Sequence, residues 1–243
     1  MRQALRPNSP VVDLVTLVVA HRGASARYPE NTVDAFRGAR ELGADWVELD
    51  VRRTADGRLA VHHDAHLPDG RAIVELDADD LPASVPDLTT ALDACRPLGV
   101  NVEIKNLPGD PDFDAACAIV KPVAAVLDGR AQSILVSSFH APTLDRVREA
   151  APSVATALLT FTLTDAARTV DNAVGAGHVA LHPFDATVDA TLVALCHERG
   201  LAINVWTVDD PGRIAELAAL GVDGIVTNVP DIARDVLQEQ GAG

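Results

Sequence analysis

The 243-residue chain has few cysteines, and their arrangement excludes some common uses of thiols. Cys95, Cys117 and Cys196 are odd in number and contain no CxxC pair, which argues against a disulfide framework or a thiolate metal site. Each lies among apolar residues in a segment that we interpret as helical. We therefore predict three buried free thiols, as in a protein of a reducing compartment.

Positive charge is also scarce, because 20 Lys and Arg face 35 Asp and Glu and the formal net charge is −15. Nucleic-acid and anionic membrane surfaces both require clustered Lys and Arg. We therefore expect no nucleic-acid partner and no stable membrane association, and the predicted ligand is a small molecule. If that ligand is an anion, a metal ion or a few buried cations must reverse the local field.

Long hydrophobic runs are absent as well. The apolar run at residues 14–20 is too short to span a bilayer, and residues 7–13 interrupt the preceding stretch that carries Arg2 and Arg6. No export signal is evident, so we expect a cytoplasmic protein. Without a linker, a low-complexity tract or a residue-level repeat, residues 1–243 are predicted to form one domain. The sequence indicates no oligomeric state.

Short apolar segments alternate along the chain with longer amphipathic ones. The predicted parallel strands are residues 15–20, 46–51, 100–104, 133–138, 155–160, 178–181, 202–207 and 224–227. The predicted helices are residues 31–42, 87–96, 111–127, 141–150, 165–173, 188–199, 211–220 and 230–240. Eight strands alternating with eight helices predict an α/β fold, a closed (β/α)8 TIM barrel.

One further strand-like segment, residues 59–63, follows the second strand too closely for a parallel crossover. We predict an antiparallel hairpin with its turn at Asp56-Gly57. The returning arm points its last residues at the carboxyl end of the barrel, where functional side chains of this fold lie. His63 and Asp64 are therefore candidates for the site, whereas His62 alternates to the opposite face.

Three carboxylates are predicted to converge at this end. Glu48 and Asp50 lie two residues apart on the second strand and share its inner face, and Glu103 comes from the next parallel strand. Clustered carboxylates repel each other unless a cation lies between them, and oxygen ligands favour Mg2+ or Ca2+. The alternative is a salt-bridge network of these acids with Arg22 and Lys105.

Two histidines are candidates for proton transfer beside this cluster. His21 ends the first strand and His63 ends the hairpin, and imidazole titrates near neutral pH. The alternative is a structural role for each. Arg22 and Lys105 provide the positive charge that a phosphate group requires, with surface ion pairing as the alternative.

Three further residues lie beside these motifs or at another strand end. Asn31 is interpreted as the N-cap of the first helix. Glu30 is either a favourable charge at that helix N-terminus or a group that orients a site residue. Trp206 at the end of the seventh barrel strand either forms a wall of the substrate pocket or belongs to the core.

The ordered motifs together resemble the glycerophosphodiester phosphodiesterase family, a group of phosphatidylinositol phospholipase C-like TIM barrels. The motifs are His21-Arg22-Gly23, Glu30-Asn31-Thr32, Glu48-Leu49-Asp50, His63-Asp64, Glu103-Ile104-Lys105 and Trp206-Thr207, followed by residues 221–230. The resemblance covers about residues 17–235. It implies catalysis by His21 and His63, metal ligation by Glu48, Asp50 and Glu103, and phosphate contacts from Arg22 and Lys105.

The implied reaction is metal-dependent hydrolysis of a glycerophosphodiester to glycerol 3-phosphate and an alcohol. The chain departs from the family in one region, because residues 65–86 replace the longer insertion that family members often carry. That difference leaves the choice of alcohol open. Two alternatives are hydrolysis of lysophospholipids, in the manner of a lysophospholipase D, and a non-catalytic phosphate-binding barrel.

Overall fold

The computed structural model describes residues 16–241, which form a closed barrel of eight parallel strands surrounded by helices. The strands of this part of the chain are β1 (Leu17–His21), β2 (Trp46–Arg53), β3 (Leu59–Val61), β4 (Gly99–Ile104), β5 (Ile134–Ser138), β6 (Ala155–Thr160), β7 (Ala180–Pro183), β8 (Ala202–Val205) and β9 (Gly224–Thr227). The sheet closes because β1 pairs in parallel with both β2 and β9. The predicted TIM barrel is confirmed.

Eight helices follow the barrel strands and cover the outside of the barrel within the described residues. They are α1 (Val33–Glu41), α2 (Leu88–Ala94), α3 (Val120–Leu127), α4 (Ala141–Ala150), α5 (Ala166–Gly175), α6 (Ala190–Glu198), α7 (Pro211–Leu220) and α8 (Pro230–Gly241). Four of them begin after an aspartate whose side chain accepts a backbone N–H of the first turn: Asp87, Asp165, Asp189 and Asp210. Each such cap contributes about 1 kcal/mol to stability.

The apolar core lies between the strands and the helices. Every residue of β4 is buried, as the nearly continuous apolar character of a parallel strand predicts. Helix α1 packs Phe36 and Ala39 against the barrel, and both are fully buried. Burial of a side chain such as Phe36 contributes about 1.5–3 kcal/mol, so Phe36→Ala would loosen this helix. The core thereby fixes the mouth of the barrel, where the strands end.

The predicted hairpin is present, because β3 pairs antiparallel with β2 through Val51 and Val61. Gly57 occupies the turn with a φ of 81°, a conformation that suits glycine. Beyond β3, the backbone N–H of His62 donates to the carbonyl of Asp50 at 3.0 Å. This bond carries the hairpin alongside β2 to its end and delivers the next residue, His63, to the barrel mouth.

The predicted helix at residues 111–127 is wrong for its first part, because the helix begins at Val120. The Asp114 carboxylate accepts the backbone N–H groups of Ala116 and Ala118, each at 2.8 Å, and Cys117 has a φ of 56°. These local bonds compete with helical hydrogen bonds. Residues 107–119 therefore form a loop over the carboxyl end of β4.

Other boundaries differ by one or two residues from the prediction. Strand β7 begins two residues later than expected, and β8 ends at Val205, so Trp206 follows the strand. Val15, predicted to begin the first strand, lies outside the described residues. All three cysteines are free and buried, as predicted. However, Cys117 lies in the loop, and Cys95 caps the carboxyl end of α2.

Residues 65–86 cover the hairpin with two short 3-10 turns, Ile73–Glu75 and Ala78–Asp80. Leu67 and Ile73 are buried there with Ala60 of β3 in a small apolar cluster apart from the main core. Among residues 16–241 no helix has both the length and the apolar character that a bilayer crossing requires.

Candidate active site

Three buried carboxylates meet at the carboxyl end of the barrel and form what we call the acidic cluster: Glu48, Asp50 and Glu103. Glu48 and Asp50 share the inner face of β2, and the β2–β4 register places Asp50 beside Glu103. One ligand oxygen from each residue lies within 4.8 Å of the others. The predicted convergence of the three acids is thereby observed.

Burial and mutual repulsion shift the pKa values of the carboxyl groups in the acidic cluster. Burial, followed by the charges of Asp50 and Glu103, raises the pKa of Glu48 well above its ordinary value. Burial also acts to raise the pKa of Asp50, but Lys105, His63 and Arg22 outweigh it and lower that pKa to about 2. Asp50 is therefore ionised at neutral pH. Ionisation of Glu48, in contrast, requires a further positive charge nearby.

Two cations border the acidic cluster. Lys105 Nζ lies 2.7 Å from Glu103 Oε1 and 3.3 Å from Asp50 Oδ1, and Arg22 Nε lies 3.3 Å from Asp50 Oδ2. The predicted salt-bridge network thus exists, but two cations do not neutralise three carboxylates. Moreover, the buried Glu48 Oε1 has no hydrogen-bond partner among the described residues. This surplus charge and unpaired oxygen fit a divalent cation.

The His-Arg-Gly turn after β1 brings the backbone onto this cluster. Arg22 and Gly23 have φ angles of 56° and 81°, and a Cβ on Gly23 would lie 2.6 Å from the carbonyl carbon of Ala35. Only glycine fits this contact with α1. The turn directs the backbone N–H of Arg22 to Glu48 Oε2, at 3.0 Å.

His21 projects from the end of β1 toward the acidic cluster. Its Nε2 lies 4.0 Å from Glu48 Oε2, and its Nδ1 lies 2.7 Å from Asn228 Oδ1 at the end of β9. Burial, with a further contribution from the charge of Arg22, lowers the pKa of His21. The neutral ring is therefore favoured, and Nε2 faces the mouth.

His63 follows β3 at the end of the hairpin. Its Nδ1 is 2.7 Å from a carboxylate oxygen of Asp64, and its side chain is 31% exposed. Burial lowers the pKa of His63, whereas the charge of Asp50 and the hydrogen bond with Asp64 act in the opposite direction. The charge of Asp50 acts to raise the pKa of both His21 and His63, so both rings lie within electrostatic reach of the acidic cluster.

Asn31 orients the acidic cluster and does not cap α1, so its predicted role as an N-cap is wrong. Thr32 is the cap, since its hydroxyl accepts the N–H of Ala35. Asn31 Nδ2 instead donates to Asp50 Oδ2 at 2.8 Å, from a left-handed backbone position with a φ of 57°. Glu30 lies beside it and accepts from Arg22 Nη1 at 2.8 Å.

Trp206 belongs to a cluster of aromatic rings, the aromatic rim, which follows four successive strands. Phe139, Phe161, Phe184 and Trp206 come after β5, β6, β7 and β8, with ring centroids 4.9–5.9 Å apart in each contacting pair. Phe161 is 60% exposed, an unusual position for a large apolar side chain. The acidic cluster comes from β2 and β4, so the barrel mouth has one charged side and one aromatic side.

Three residues of the site were not predicted from the sequence. Arg52 is buried on the same face of β2 as Glu48 and Asp50, and extending the period of two by one step would have found it. Asn228 directly follows β9, a position that the strand-end rule favours. Asp209 binds Asn228 from the loop after β8, and no sequence pattern marks it.

Fold and site together define a class: a TIM barrel with a buried acidic cluster, two cations and two histidines at its carboxyl end. A model of the glycerophosphoryl diester phosphodiesterase family matches residues 21–232. Glycerophosphodiester phosphodiesterases from Caldanaerobacter subterraneus subsp. tengcongensis and Bacillus altitudinis are each 31% identical, over 93% of this chain and 99% of the relative. The chain belongs to this family, which makes it a phosphoric diester hydrolase.

Solved structures agree with this fold. A glycerophosphodiester phosphodiesterase from Agrobacterium tumefaciens, 26% identical, has a TM-score of 0.75 over 90% of this chain and 99% of its own. An Oleispira antarctica phosphodiesterase, solved with the product sn-glycerol-3-phosphate, has a TM-score of 0.84 at 22% identity, over 92% of this chain and 97% of its own. The second likeness concerns the fold alone.

Proposed function

We propose that this protein hydrolyses glycerophosphodiesters to glycerol 3-phosphate and an alcohol at the acidic cluster. The observation that carries the proposal is the buried set of Glu48, Asp50 and Glu103 within 4.8 Å, in a chain of this family. The small-molecule product bound by the Oleispira relative is consistent with this substrate class. A non-catalytic barrel is disfavoured because every motif position retains its chemistry.

The acidic cluster would hold one divalent cation, Mg2+ or Ca2+, through its three carboxylates. Carboxylate oxygens favour these hard cations over Zn2+. When bound, the cation supplies positive charge against the negative charge that grows on the phosphoryl oxygens. The surplus of three carboxylates over two cations supports this assignment. Glu48 Oε1, which has no hydrogen-bond partner in the part of the chain that the structure describes, supports it as well.

Arg22 and Lys105 are proposed to bind the phosphate. Both already border the acidic cluster, where Lys105 is buried and Arg22 is directed by Glu30 and Asp50. A guanidinium provides a fork of donors for phosphate oxygens, and an ammonium provides a compact charge. Glu30 is then the orienting partner of Arg22. Trp206 forms part of the opposite wall of the mouth.

His21 and His63 are proposed to transfer the protons. The neutral ring of His21, bound to an amide, would take the proton of the attacking group through Nε2. That group is water, or a glycerol hydroxyl that forms a cyclic phosphate which water then opens. His63, bound to the Asp64 carboxylate, would give a proton to the alkoxide as its bond to phosphorus breaks. The charge of Asp50 and the hydrogen bond with Asp64 stabilise the imidazolium that such a donor requires, and they oppose the burial that lowers the pKa of His63.

The test is release of glycerol 3-phosphate from glycerophosphocholine and glycerophosphoethanolamine, followed with a coupled dehydrogenase in Mg2+, in Ca2+ and in EDTA. We expect metal-dependent release that falls at least about 100-fold in His21→Ala and in His63→Ala, since general acid–base catalysis contributes about 10²–10⁴. The matched control is His62→Ala, because His62 precedes His63 and its Nδ1 forms a hydrogen bond with the backbone carbonyl of Asp64 and not with the acidic cluster.

Equal activity in EDTA and in metal would contradict the proposed metal dependence. Loss of activity in His62→Ala as large as that in His63→Ala would show damage to the hairpin and not a role in proton transfer. No release from either substrate under any condition would reject glycerophosphodiester hydrolysis with these alcohols.

The aromatic rim favours a second candidate, hydrolysis of lysophospholipids. An acyl chain on the glycerol would gain from contact with the exposed ring of Phe161 and the rings behind it. The two candidates share the acidic cluster and differ in what the aromatic side of the mouth contacts. The contacts of the aromatic rim therefore determine whether a lysophospholipid is preferred over a glycerophosphodiester without an acyl chain.

The two candidates are separated by kcat/KM for glycerophosphocholine and for lysophosphatidylcholine in wild type and in Phe161→Ser. If lysophospholipids are the substrate, Phe161→Ser should lower kcat/KM for lysophosphatidylcholine about tenfold, the equivalent of about 1.4 kcal/mol, and spare glycerophosphocholine. If wild type does not hydrolyse lysophosphatidylcholine, the second candidate fails.

A further inference from the structure

A chain of hydrogen bonds runs from Asp209 through Asn228 to His21 across the loops after β8 and β9. The Asp209 carboxylate accepts the backbone N–H of Asn228 at 2.8 Å, the side-chain Nδ2–H of Asn228 at 2.7 Å and the hydroxyl of Thr227 at 3.0 Å. Asn228 Oδ1 then lies 2.7 Å from His21 Nδ1. Ser25 Oγ is also 2.8 Å from this oxygen.

The chemistry of these partners determines which way the Asn228 amide faces. A carboxylate only accepts hydrogen bonds, so the amide atom next to Asp209 must be the NH2 group. The opposite atom, which faces His21, is therefore the carbonyl oxygen. Because that oxygen only accepts, the neighbouring His21 Nδ1 must carry the hydrogen. A neutral His21 then has its lone pair on Nε2, the nitrogen that faces Glu48.

We propose that Asp209 and Asn228 are positioning residues that hold His21 in the tautomer with hydrogen on Nδ1. Neither residue touches the acidic cluster, and both act through His21. The inference rests on the proposed function, in which Nε2 of His21 receives the proton of the attacking hydroxyl. The wrong tautomer would present an N–H to that hydroxyl and could not accept its proton.

The tautomer is measured directly on metal-free protein labelled with 15N at histidine, from the long-range 1H–15N couplings of the His21 ring. The signals of His21 are identified by their loss in His21→Gln. We expect the Nδ1–H form in wild type. In Asp209→Asn the amide oxygen still accepts from the backbone N–H of Asn228 and the Thr227 hydroxyl, so the new NH2 group faces the Asn228 side chain. The Asn228 amide should then reverse and present its own NH2 group to His21 Nδ1, and the Nε2–H form should appear.

Kinetics provide the second readout. Asp209→Asn should lower kcat at least about tenfold and change KM less than about twofold, because the phosphate contacts are retained. The matched control is Asp210→Asn, which alters the next residue, an exposed N-cap of α7 that asparagine also caps well. This control should retain the wild-type tautomer and kcat.

An exchange of the two side chains tests the direction of the bonds. Asn228→Asp alone places two carboxylates side by side, and we expect a loss of kcat. In the double variant Asp209→Asn/Asn228→Asp, the new amide can donate to the new carboxylate, which still accepts from His21 Nδ1. The double variant should recover the Nδ1–H tautomer and most of the kcat that Asn228→Asp loses.

The proposal is overturned if wild type shows the Nε2–H tautomer, or if Asp209→Asn changes neither the tautomer nor kcat. Failure of the proposed function is a separate result, because the tautomer is measured without substrate. A wild-type protein that hydrolyses no diester yet holds the Nδ1–H form through Asp209 would retain the positioning role and lose the reaction.

Discussion

The pKa of each acidic side chain at this barrel mouth depends on its hydrogen bonds and on the charges beside it. Glu48 and Asp50 are two residues apart on one strand, yet their pKa values shift in opposite directions. Asp50 binds Asn31 and lies beside Lys105, whereas one oxygen of Glu48 has no hydrogen-bond partner within residues 16–241. The sequence shows which face each acid occupies, but these contacts come from loops that are distant in the chain.

His182 offers a test of this dependence on partners away from the acidic cluster. It is buried in β7, and its Nε2 lies 2.9 Å from Asn204 Nδ2, which donates to it. Burial lowers the pKa of His182 to about 3 from a reference value of 6.5. Below pH 6.5 His182 therefore binds a proton in the unfolded chain but not in the folded protein. The free energy of unfolding consequently falls as the pH decreases from 6.5 toward 3.

We predict that His182→Gln reduces this acid sensitivity, because glutamine can accept from Asn204 and has no such proton. Urea unfolding at several pH values between 7 and 4 measures the effect. One such proton steepens the loss by up to about 1.4 kcal/mol per pH unit. The exposed His66 provides the control variant, His66→Gln. An unchanged pH dependence in His182→Gln would contradict the prediction.

At the scale of secondary-structure elements, Arg52 connects the hairpin to the loop at residues 107–119. Its Nη1 donates to both carboxylate oxygens of Asp112 at 2.7 Å, its Nη2 to Asp110 at 2.9 Å and its Nε to the backbone carbonyl of His63 at 2.8 Å. One side chain of β2 thus fixes the backbone of a proposed catalytic residue and the loop after β4.

We predict that Arg52→Met frees this loop and lowers stability. Removing one partner of a buried ion pair leaves the other uncompensated and costs about 3–5 kcal/mol. Urea unfolding measures that loss, and hydrogen exchange should accelerate at the amides of residues 107–119. Arg199→Met is the control, since this half-exposed arginine follows α6 and pairs with Asp171 of α5. Equal exchange in both variants would contradict the prediction.

The order of elements was predictable from the sequence, but part of the element after β4 was not. Alternating apolar segments determine a parallel barrel, and the short spacing of the hairpin determines its antiparallel pairing. Residues 111–119 have helix-like composition, yet Asp114 and Asn106 bind this backbone and prevent a helix. Similarly, Asn31 resembled a cap because it precedes a helix. Its bond to Asp50 spans 19 residues, and no local pattern could show it.

At the scale of the whole molecule, the candidate site concentrates opposite charges in a strongly acidic protein of net charge −15. The strand ends were predictable because the barrel places every functional position at one rim. The Asp209–Asn228–His21 contacts were not predictable, because they join loops from opposite ends of the chain. The aromatic rim likewise becomes visible only when β5 to β8 lie side by side.

Metal binding should therefore stabilise the whole protein. We predict that Mg2+ or Ca2+ raises the Tm of wild type, since a ligand that binds only the folded state stabilises it. Glu48→Gln should raise the Tm of the metal-free protein, because the raised pKa of Glu48 means that its charge is disfavoured in the fold. The same variant should lose most of the response to metal.

Differential scanning fluorimetry in EDTA and across a metal titration measures both effects. The control is Glu41→Gln, at an exposed position at the end of α1, which should respond to metal as wild type does. A Glu48→Gln variant that is stabilised by metal as strongly as wild type would contradict the assignment of Glu48 as a ligand.

The most direct test of the central claim is the identity of the phosphorus product. Purified protein with glycerophosphocholine and metal would be followed by 31P NMR, with EDTA as the comparison. Hydrolysis at the proposed site predicts that the diester resonance is replaced by glycerol 3-phosphate alone. Formation of phosphocholine, or an unchanged diester with both Mg2+ and Ca2+, would contradict it.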